Sequence, residues 1–327
     1  MIYYESNSTD PYFNLALEEY FFEKMDRTES YFLLWQNANT IVVGKYQNTA
    51  EEINRQYVEE HGIRVARRLS GGGAVYHDMG NLNFTFIVDQ NKIEEFNFRA
   101  FVLPLIETLK TIGVKAEFNG RNDVTIDGAK FSGNSQYSKK GRLMHHGCIM
   151  LDSDLGVVSE ALRVKDVKFS SKAVKSVRSR VTTINANAPE PIDMETFKAL
   201  LRDQIFSTSH PTTAILTPEQ IKEIRALRDE KYATWEWNFG ASPAYDMRKE
   251  MKFPAGLVTV LMKVSEGKIE DIHFYGDFFG NGDIHDLERQ LCGMWLDDSL
   301  AEHLNRIDTD TYMKGIRPSD LYSLLMH

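Results

Sequence analysis

Apolar positions along the chain recur with two periods, and the switches between them divide it into elements. Phe13, Leu17, Tyr20 and Phe21 fall at the spacing of one helix face. Asp10 followed by Pro11 supplies an N-cap and a first-turn proline, so a helix is predicted from there to about Met25. Strand-like runs follow at Thr40–Val43, Arg64–Leu69, Ala74–Tyr76 and Asn81–Asp89. In the last, Leu82, Phe84, Phe86 and Val88 alternate with their neighbours, the pattern of a strand buried on one face. Phe98, Phe101, Val102, Leu105, Ile106 and Leu109 form one stripe of a helix over Phe98–Ile112, with Pro104 expected to kink it or to mark its true start. Short strands are predicted at Val114–Phe118, Asp123–Ile126, Lys130–Tyr137 and Leu143–Leu151. The tight polar connections Asp127-Gly128 and Lys139–Gly141 favour antiparallel hairpins over βαβ crossovers.

A helix is predicted around Pro218–Lys231, then an irregular aromatic stretch, TWEWNFGASPAY, with Trp235, Trp237, Phe239 and Pro243. The run GLVTVLMKVSEGKIEDIHFYG reads as a hairpin turning at Glu266-Gly267, followed by two or three short helices to His327. The boundary is expected near Tyr245–Phe253. The pattern therefore predicts a large α+β domain over 1–245 and a small C-terminal α+β domain over 250–327, with an irregular linker between them.

Composition narrows the classes. The chain has 327 residues, 42% of them hydrophobic, enough for a substantial core and two domains. A net charge of −9 argues against a nucleic-acid partner. Cys148 and Cys292 give neither a disulfide framework nor a metal-ligand spacing. The opening MIYYESNSTDPYF lacks the basic and apolar regions of a signal peptide. No apolar run approaches the ~18–20 residues needed to span a bilayer. A soluble cytoplasmic protein with no membrane partner is expected.

Candidate chemistry begins at Arg67-Arg68-Leu69-Ser70-Gly71-Gly72-Gly73-Ala74-Val75-Tyr76. Three consecutive glycines let backbone approach a ligand closely. Successive exposed N–H groups make a nest for anionic oxygens, and a neighbouring guanidinium offers bidentate phosphate recognition. An ordinary glycine-rich turn beside two surface arginines is the plainer reading. The P-loop spacing is absent, and Tyr76 stands where a dinucleotide fingerprint needs its third glycine.

Four further stretches carry candidates. Gly120-Arg121-Asn122-Asp123 offers an Asn-Asp pair suited to Mg²⁺, ribose or phosphate, or equally to an Asx-turn. Lys130, in GAKFSGNSQY, shares the alternation of Ser132 against Phe131, so the ammonium and the phenyl ring are expected on opposite faces. It suits two anions brought together, or the guarding of a sheet edge. In LMHHGCIML, His145 and His146 point to opposite faces, and Cys148 shares the face of His146 as a thioester nucleophile or a small core residue. Val164–Arg180 holds six Lys or Arg against one Asp, a basic lid over phosphates or simply a solvated charged face.

In this order, RRLSGGGAVYHDMGNLNFTF, GRND, KFSGNSQY, HHG, SVRSRVT and WEWNFG resemble the lipoate–protein ligase A family over about residues 10–255. The combination is specific where no single block is. The resemblance implies a class II synthetase-like, biotin ligase-like catalytic domain of mixed, mainly antiparallel sheets, with the C-terminal part as accessory domain. It implies that lipoate attacks the α-phosphate of Mg²⁺–ATP to give lipoyl-AMP. A lysine of an acceptor then takes the lipoyl group; acceptors are lipoyl domains of 2-oxoacid dehydrogenase E2 subunits or the glycine-cleavage H protein.

By the same resemblance Lys130 is the central lysine, touching both lipoate and ATP. Arg68, Gly73, Ala74, Val75, Tyr76, Asn122 and Asp123 are assigned to ATP, with Asp123 also a Mg²⁺ ligand. Ser70, Gly71, Gly72 and His145 are assigned to lipoate. Lys172, Lys175, Arg178 and Arg180 belong to the loop that folds over the adenylate. A monomer is expected. The alternatives are a biotin ligase, from whose RGRxGR-type loop this chain departs, an amidotransferase acting through a cysteine thioester without ATP, and an inactive binding module on the same fold.

Overall fold

Strand pairing organises the chain. The computed structural model describes residues 1–89, 97–119, 122–162, 180–208, 210–240, 245 and 247–326. Its strands are β1 Ile2–Glu5, β2 Tyr31–Trp35, β3 Thr40–Val43, β4 Arg64–Arg67, β5 Val75–His77, β6 Asn81–Asp89, β7 Glu117–Asn119, β8 Asp123–Ile126, β9 Ala129–Lys139, β10 Arg142–Met150, β11 Thr212–Thr213, β12 Met247–Phe253, β13 Gly256–Ser265 and β14 Lys268–Gly276. They form an eight-stranded sheet in the order β11-β1-β2-β6-β10-β9-β8-β7 and two three-stranded sheets, β4-β3-β5 and β12-β13-β14. Most pairs are antiparallel; β1–β2, β1–β11 and β3–β4 are parallel.

Two compact units result. One holds residues 1–43, 50–67 and 74–238; the other holds 44–49, 68–73 and 239–327. In the first, the helices Phe98–Thr111 and Met194–Ile205 cover one face of the large sheet, packing Phe101, Val102, Leu105, Leu109, Phe197 and Leu201 onto Phe32, Phe84, Leu143 and Ile149. Asn97 caps the first of these helices, which runs on through Pro104 rather than starting there.

The hairpins at Asp127-Gly128 and Lys140-Gly141 form as the sequence predicts, each with both residues at positive φ. One expectation about β6 changes. It is buried on both faces from Asn81 to Ile87. Leu82, Phe84 and Phe86 enter the apolar core, while Asn81, Asn83 and Thr85 meet a buried polar layer. There Glu18, on the helix Pro11–Glu23, accepts hydrogen bonds from Thr85 Oγ1 (2.5 Å) and pairs with His146 Nδ1 (2.9 Å). Trp35 Nε1 donates to Thr85 at 2.9 Å. Thr85 looks exposed to a one-sided pattern because its partners Trp35 and Glu18 lie 50 and 67 positions away, while the Asn83 side chain meets those of Asn81 and His77.

The second unit contains the predicted hairpin of β13 and β14, turning at Glu266-Gly267, and four short helices among its described residues rather than two or three: Ile284–Leu291, Ser299–Leu304, Thr309–Tyr312 and Pro318–Met326. The stretch read as a linker is also corrected. Met247–Phe253 is a strand paired along its length with β13, because its alternating charged residues face outward while Phe253 is buried.

The aromatic WEWN segment is a short helix, Trp235–Asn238, and serves as a clasp on β4. Asn238 Oδ1 accepts from the Arg67 amide at 2.9 Å, and its Nδ2 donates to the Tyr232 and Thr234 carbonyls at 2.7 and 2.8 Å. Arg67 Nε donates to the Trp237 carbonyl and Trp237 Nε1 to the Arg67 carbonyl, both at 2.9 Å. Losing a buried partner costs about 1–3 kcal/mol per group. Asn238→Ala is therefore expected to lower stability by roughly 2–4 kcal/mol, counting more than one such group. Urea unfolding checks it; a loss under about 0.5 kcal/mol, the range of ordinary surface changes, would show that the clasp is ornamental.

His145 is fully buried on the apolar face, stacked on Phe101 at 4.5 Å between ring centroids, with Gln136 Nε2 3.1 Å from its Nδ1 and Asn134 Oδ1 3.3 Å from its Nε2. Burial, with a smaller contribution from His146, holds its pKa well below the ordinary 6.5. Below pH 6.5 the unfolded chain takes up a proton here that the folded chain refuses. Stability is thus expected to fall on acidification from about pH 6.5 towards 5, by up to about 1.4 kcal/mol per pH unit, and to be intact above it. His145→Gln should flatten that slope in urea titrations at pH 7, 6 and 5; an unchanged slope would contradict the assignment.

Candidate functional site

In the first unit, the chemistry gathers where β8 and β9 part from regular pairing. Val124 pairs with Ser132, but Thr125 pairs with Lys130, so Phe131 is an extra residue on β9. This bulge corrects the simple alternation expected around Lys130. An extra residue reverses the parity of facing on its own strand. Phe131 enters the core fully buried, and Lys130 shares a face with Gly133 instead of Ser132. The side chain lies back over the strand, and its Nζ meets Asp123 Oδ1 at 2.7 Å. Asp123 stands opposite Gly133 on β8, and Cys148 stands opposite it on β10. Both charged side chains remain about one-third exposed (33% and 37%), so the pair is screened and open to exchange.

The backbone of Lys130 is held on its other side as well. Its amide donates to the Arg180 carbonyl at 2.8 Å, and its carbonyl accepts from the Thr182 amide at 2.9 Å. Arg180 itself is exposed. The chain leaving the basic segment is therefore stitched to the candidate lysine. Lys172, Lys175 and Arg178 lie outside the described residues, as do Gly120 and Arg121 of GRND.

Asn122 is committed to structure. Its Nδ2 donates to the Asn134 carbonyl at 2.8 Å, and its carbonyl accepts from the Asn134 amide at 3.0 Å and side chain at 3.1 Å. The Asn-Asp pair is thus divided, Asn122 tying β9 to the turn and Asp123 facing the lysine. Among the described residues no three His, Cys, Asp or Glu side chains are grouped as a metal needs. With Asp123 held by an ammonium, the protein side chains here do not fit a resident Mg²⁺. Cys148 is buried, its Sγ 3.7 Å from the Gly133 carbonyl. Ala74, just before β5, and Val75, its first residue, are half-buried, and Tyr76 is buried, which with nearby carboxylates raises its pKa to about 12. His145 belongs to the core, as described above, and presents no exposed atom.

In the second unit, the glycine loop is shaped by its own polar contacts. Arg68 is buried, and its guanidinium donates to Ser70 Oγ (3.2 Å) and to the carbonyls of Gly71 (2.7 Å) and Gly73 (2.8 Å). The Ser70 carbonyl accepts from the Lys45 amide at 2.8 Å. A Cβ on Gly71 would lie 2.3 Å from the Phe278 carbonyl, and one on Gly44 would lie 1.9 Å from the Gly72 carbonyl. Gly72 has φ +90° beside the Phe279 ring. Gly44 and Gly71 are required by close backbone packing, and Gly72 by its positive φ. Gly73 alone of the three has open space around it. The sequence motif thus contains two structural glycines and one that a ligand can approach.

Sequence reasoning missed Gly44, Gly133, Asn134 and the Glu18–His146 pair. None has a local signal, since each is defined by a partner distant in sequence. The Asn238 clasp was visible only as a block, WEWNFG, with no role attached.

Comparison with known proteins bears on this arrangement. A model of the lipoyl protein ligase A/B catalytic domain matches residues 10–206, and one of the bacterial lipoate protein ligase C-terminus matches 242–325. The chain is 44% identical to lipoate–protein ligase 1 of Staphylococcus aureus and 42% identical to lipoate-protein ligase LplJ of Bacillus subtilis, in each case over 98% of both chains. Among solved structures it superposes on P. falciparum LipL1 in complex with lipoate with a TM-score of 0.79, at 24% identity and 99% coverage of both. A bipartite lipoate protein ligase of Thermoplasma acidophilum, studied with its E2 lipoyl domain, gives a TM-score of 0.66 at 26% identity, covering 75% of this chain and 98% of that one. A lipoate-protein ligase A bound with ATP gives 0.63 at 24% identity, covering 73% and 97%. With both family models matched in order and such identity along its whole length, the chain belongs to the lipoate–protein ligase family and is a ligase.

Proposed function

We propose that this ligase attaches free lipoate to a lysine of an acceptor protein in two steps through lipoyl-AMP. A lipoate carboxylate oxygen forms a bond to the α-phosphorus of ATP as the bond to the leaving pyrophosphate breaks. The acceptor's amine then forms a bond to the acyl carbon, AMP departs with the bridging oxygen, and the amine gives up a proton. Acceptors are E2 lipoyl domains or the glycine-cleavage H protein; the study of the bipartite relative together with its E2 lipoyl domain supports the first.

The observation that carries this reading is a strand-borne ammonium whose carboxylate partner is replaceable. Bringing a carboxylate to ~4 Å from a phosphate costs about 4 kcal/mol at an effective dielectric near 20. A fixed cation offsets that repulsion and stabilises the charge that develops in the transition state. Lys130 supplies it, its Asp123 pair standing in for the substrate anion. Lys130 therefore acts as a permanent cation, holding lipoate's carboxylate and the α-phosphate. On the glycine loop, open Gly73 with the Ala74–Tyr76 segment is assigned to ATP, Ser70–Gly72 to the border of the lipoate chain, and Arg68 to keeping the loop's carbonyls turned inward. The basic segment ending at Arg180 is assigned to cover the adenylate. Magnesium, when present, would travel with the ATP phosphates and supply further charge neutralisation.

The competing reading, a Cys148 acyl-enzyme, is less favoured because that thiol is buried against a strand carbonyl. Two measurements separate the readings. Lipoate-dependent ATP–pyrophosphate exchange is expected from the wild-type enzyme and to fall at least about 10²–10³-fold in Lys130→Ala, the scale of losing a transition-state charge stabiliser. Exchange that never occurs, or that survives the substitution, sinks the adenylation mechanism. Cys148→Ser is expected to keep activity within a few-fold in transfer to purified E2 domain and H protein; its inactivation with the fold intact would favour the thioester.

A further inference from the structure

We infer that Gly133 is a positioning residue for Lys130: its missing side chain is what lets the lysine lie back across the strand and deliver its ammonium beside Asp123. This rests on the adenylation reading above. Three observations carry it. First, the Phe131 bulge puts residues 130 and 133 on one face, three positions apart, a juxtaposition that unbroken alternation forbids. Second, a Cβ built on Gly133 would lie 2.9 Å from both Cε and Nζ of Lys130, and 3.9 Å from Cys148 Sγ. Third, Gly133 is absent from the glycines with positive φ, so its backbone does not itself demand glycine.

These facts distinguish Gly133 from the other tight glycines. At Gly71 and Gly80 the obstructing atoms are backbone, so a side chain there would displace the chain itself. At Gly133 the obstructing atoms are the far end of a flexible side chain. A methyl group would therefore leave the sheet in place and move the ammonium instead. Asp123, opposite Gly133, would lose its 2.7 Å contact, and the cation would no longer stand where an incoming carboxylate and phosphate must share it.

The test is a double-mutant cycle on the full-length enzyme, using Gly133→Ala, Lys130→Ala and both together. The readouts are lipoate affinity by calorimetry, ATP–pyrophosphate exchange, and melting temperature. Gly133→Ala is expected to melt close to wild type, to lose about 100-fold in kcat for exchange, the scale of a 1 Å misplacement, and to change KM less. In the Lys130→Ala background, Gly133→Ala is expected to change lipoate affinity by less than about two-fold, since the group it displaces is already gone. If the single variant fails to fold but the double variant folds, the clash with the lysine is demonstrated directly. If both fail to fold, or if the second substitution weakens binding further in the Lys130→Ala background, Gly133 serves the strand and the inference is overturned. Wild-type exchange that Lys130→Ala abolishes and Gly133→Ala leaves untouched would overturn only this inference. Absence of exchange from the wild type would instead remove the adenylation reading on which it stands.

Discussion

The central constraint of the first unit is β10, buried on both faces along its length and laddered antiparallel to β6 and β9. Every residue from Arg142 to Met150 has a partner on β6, and pairing with β9 begins at Ile149 and runs back to Arg142. With water excluded from both faces of β10, its polar side chains and those packed on them need partners within the protein. Glu18 meets His146 and Thr85; Gln136 and Asn134 meet His145. Such a ladder tolerates no slip, because a shift of one residue would move His145, Leu143 and Ile149 out of the apolar layer and drive Met144, His146 and Cys148 into it.

Against that rigid register the bulge at Phe131 is a local exception with a chemical consequence. It gives the core a phenyl ring and frees Lys130 to face away from the core. The lysine is then restrained by backbone on both sides, from Thr125 across β8 and from Arg180 and Thr182. Its head group is restrained only by a carboxylate, in a pair exposed enough for solvent to weaken. A cation fixed at its root and exchangeable at its tip is suited to meeting anionic substrates without reorganisation, which is how preorganised charge lowers a barrier.

The glycine loop follows a different logic within its own unit. Its geometry comes from Arg68, whose guanidinium binds loop carbonyls, and from Gly71 and Gly72, whose bare backbones pack against Phe278, Phe279 and Gly44. The arginine thus commits its donors to the loop's own carbonyls and the Ser70 hydroxyl, so its part in the loop is to fix the backbone's shape.

The sequence by itself determined the local elements: the Asp10–Pro11 helix start, the Asp127-Gly128 and Lys140-Gly141 turns, the β13–β14 hairpin, and the order of blocks that identifies the family. These depend on residues near one another in the chain, where capping, positive φ and periodicity act. It did not determine which faces are buried, so β6 read as one-sided, the Met247–Phe253 strand read as a linker, and β1 and β2 went unrecognised. Nor did it determine the face of Lys130, because a bulge is decided by the partner strand and leaves no mark in a period-two pattern. The roles of Gly133, Asn134 and Asn238, and the division of the three loop glycines, were likewise decided only in the tertiary structure. Each is defined by an atom that folding brings close from a distant part of the chain or across a bulge, and no spacing within a motif encodes that proximity.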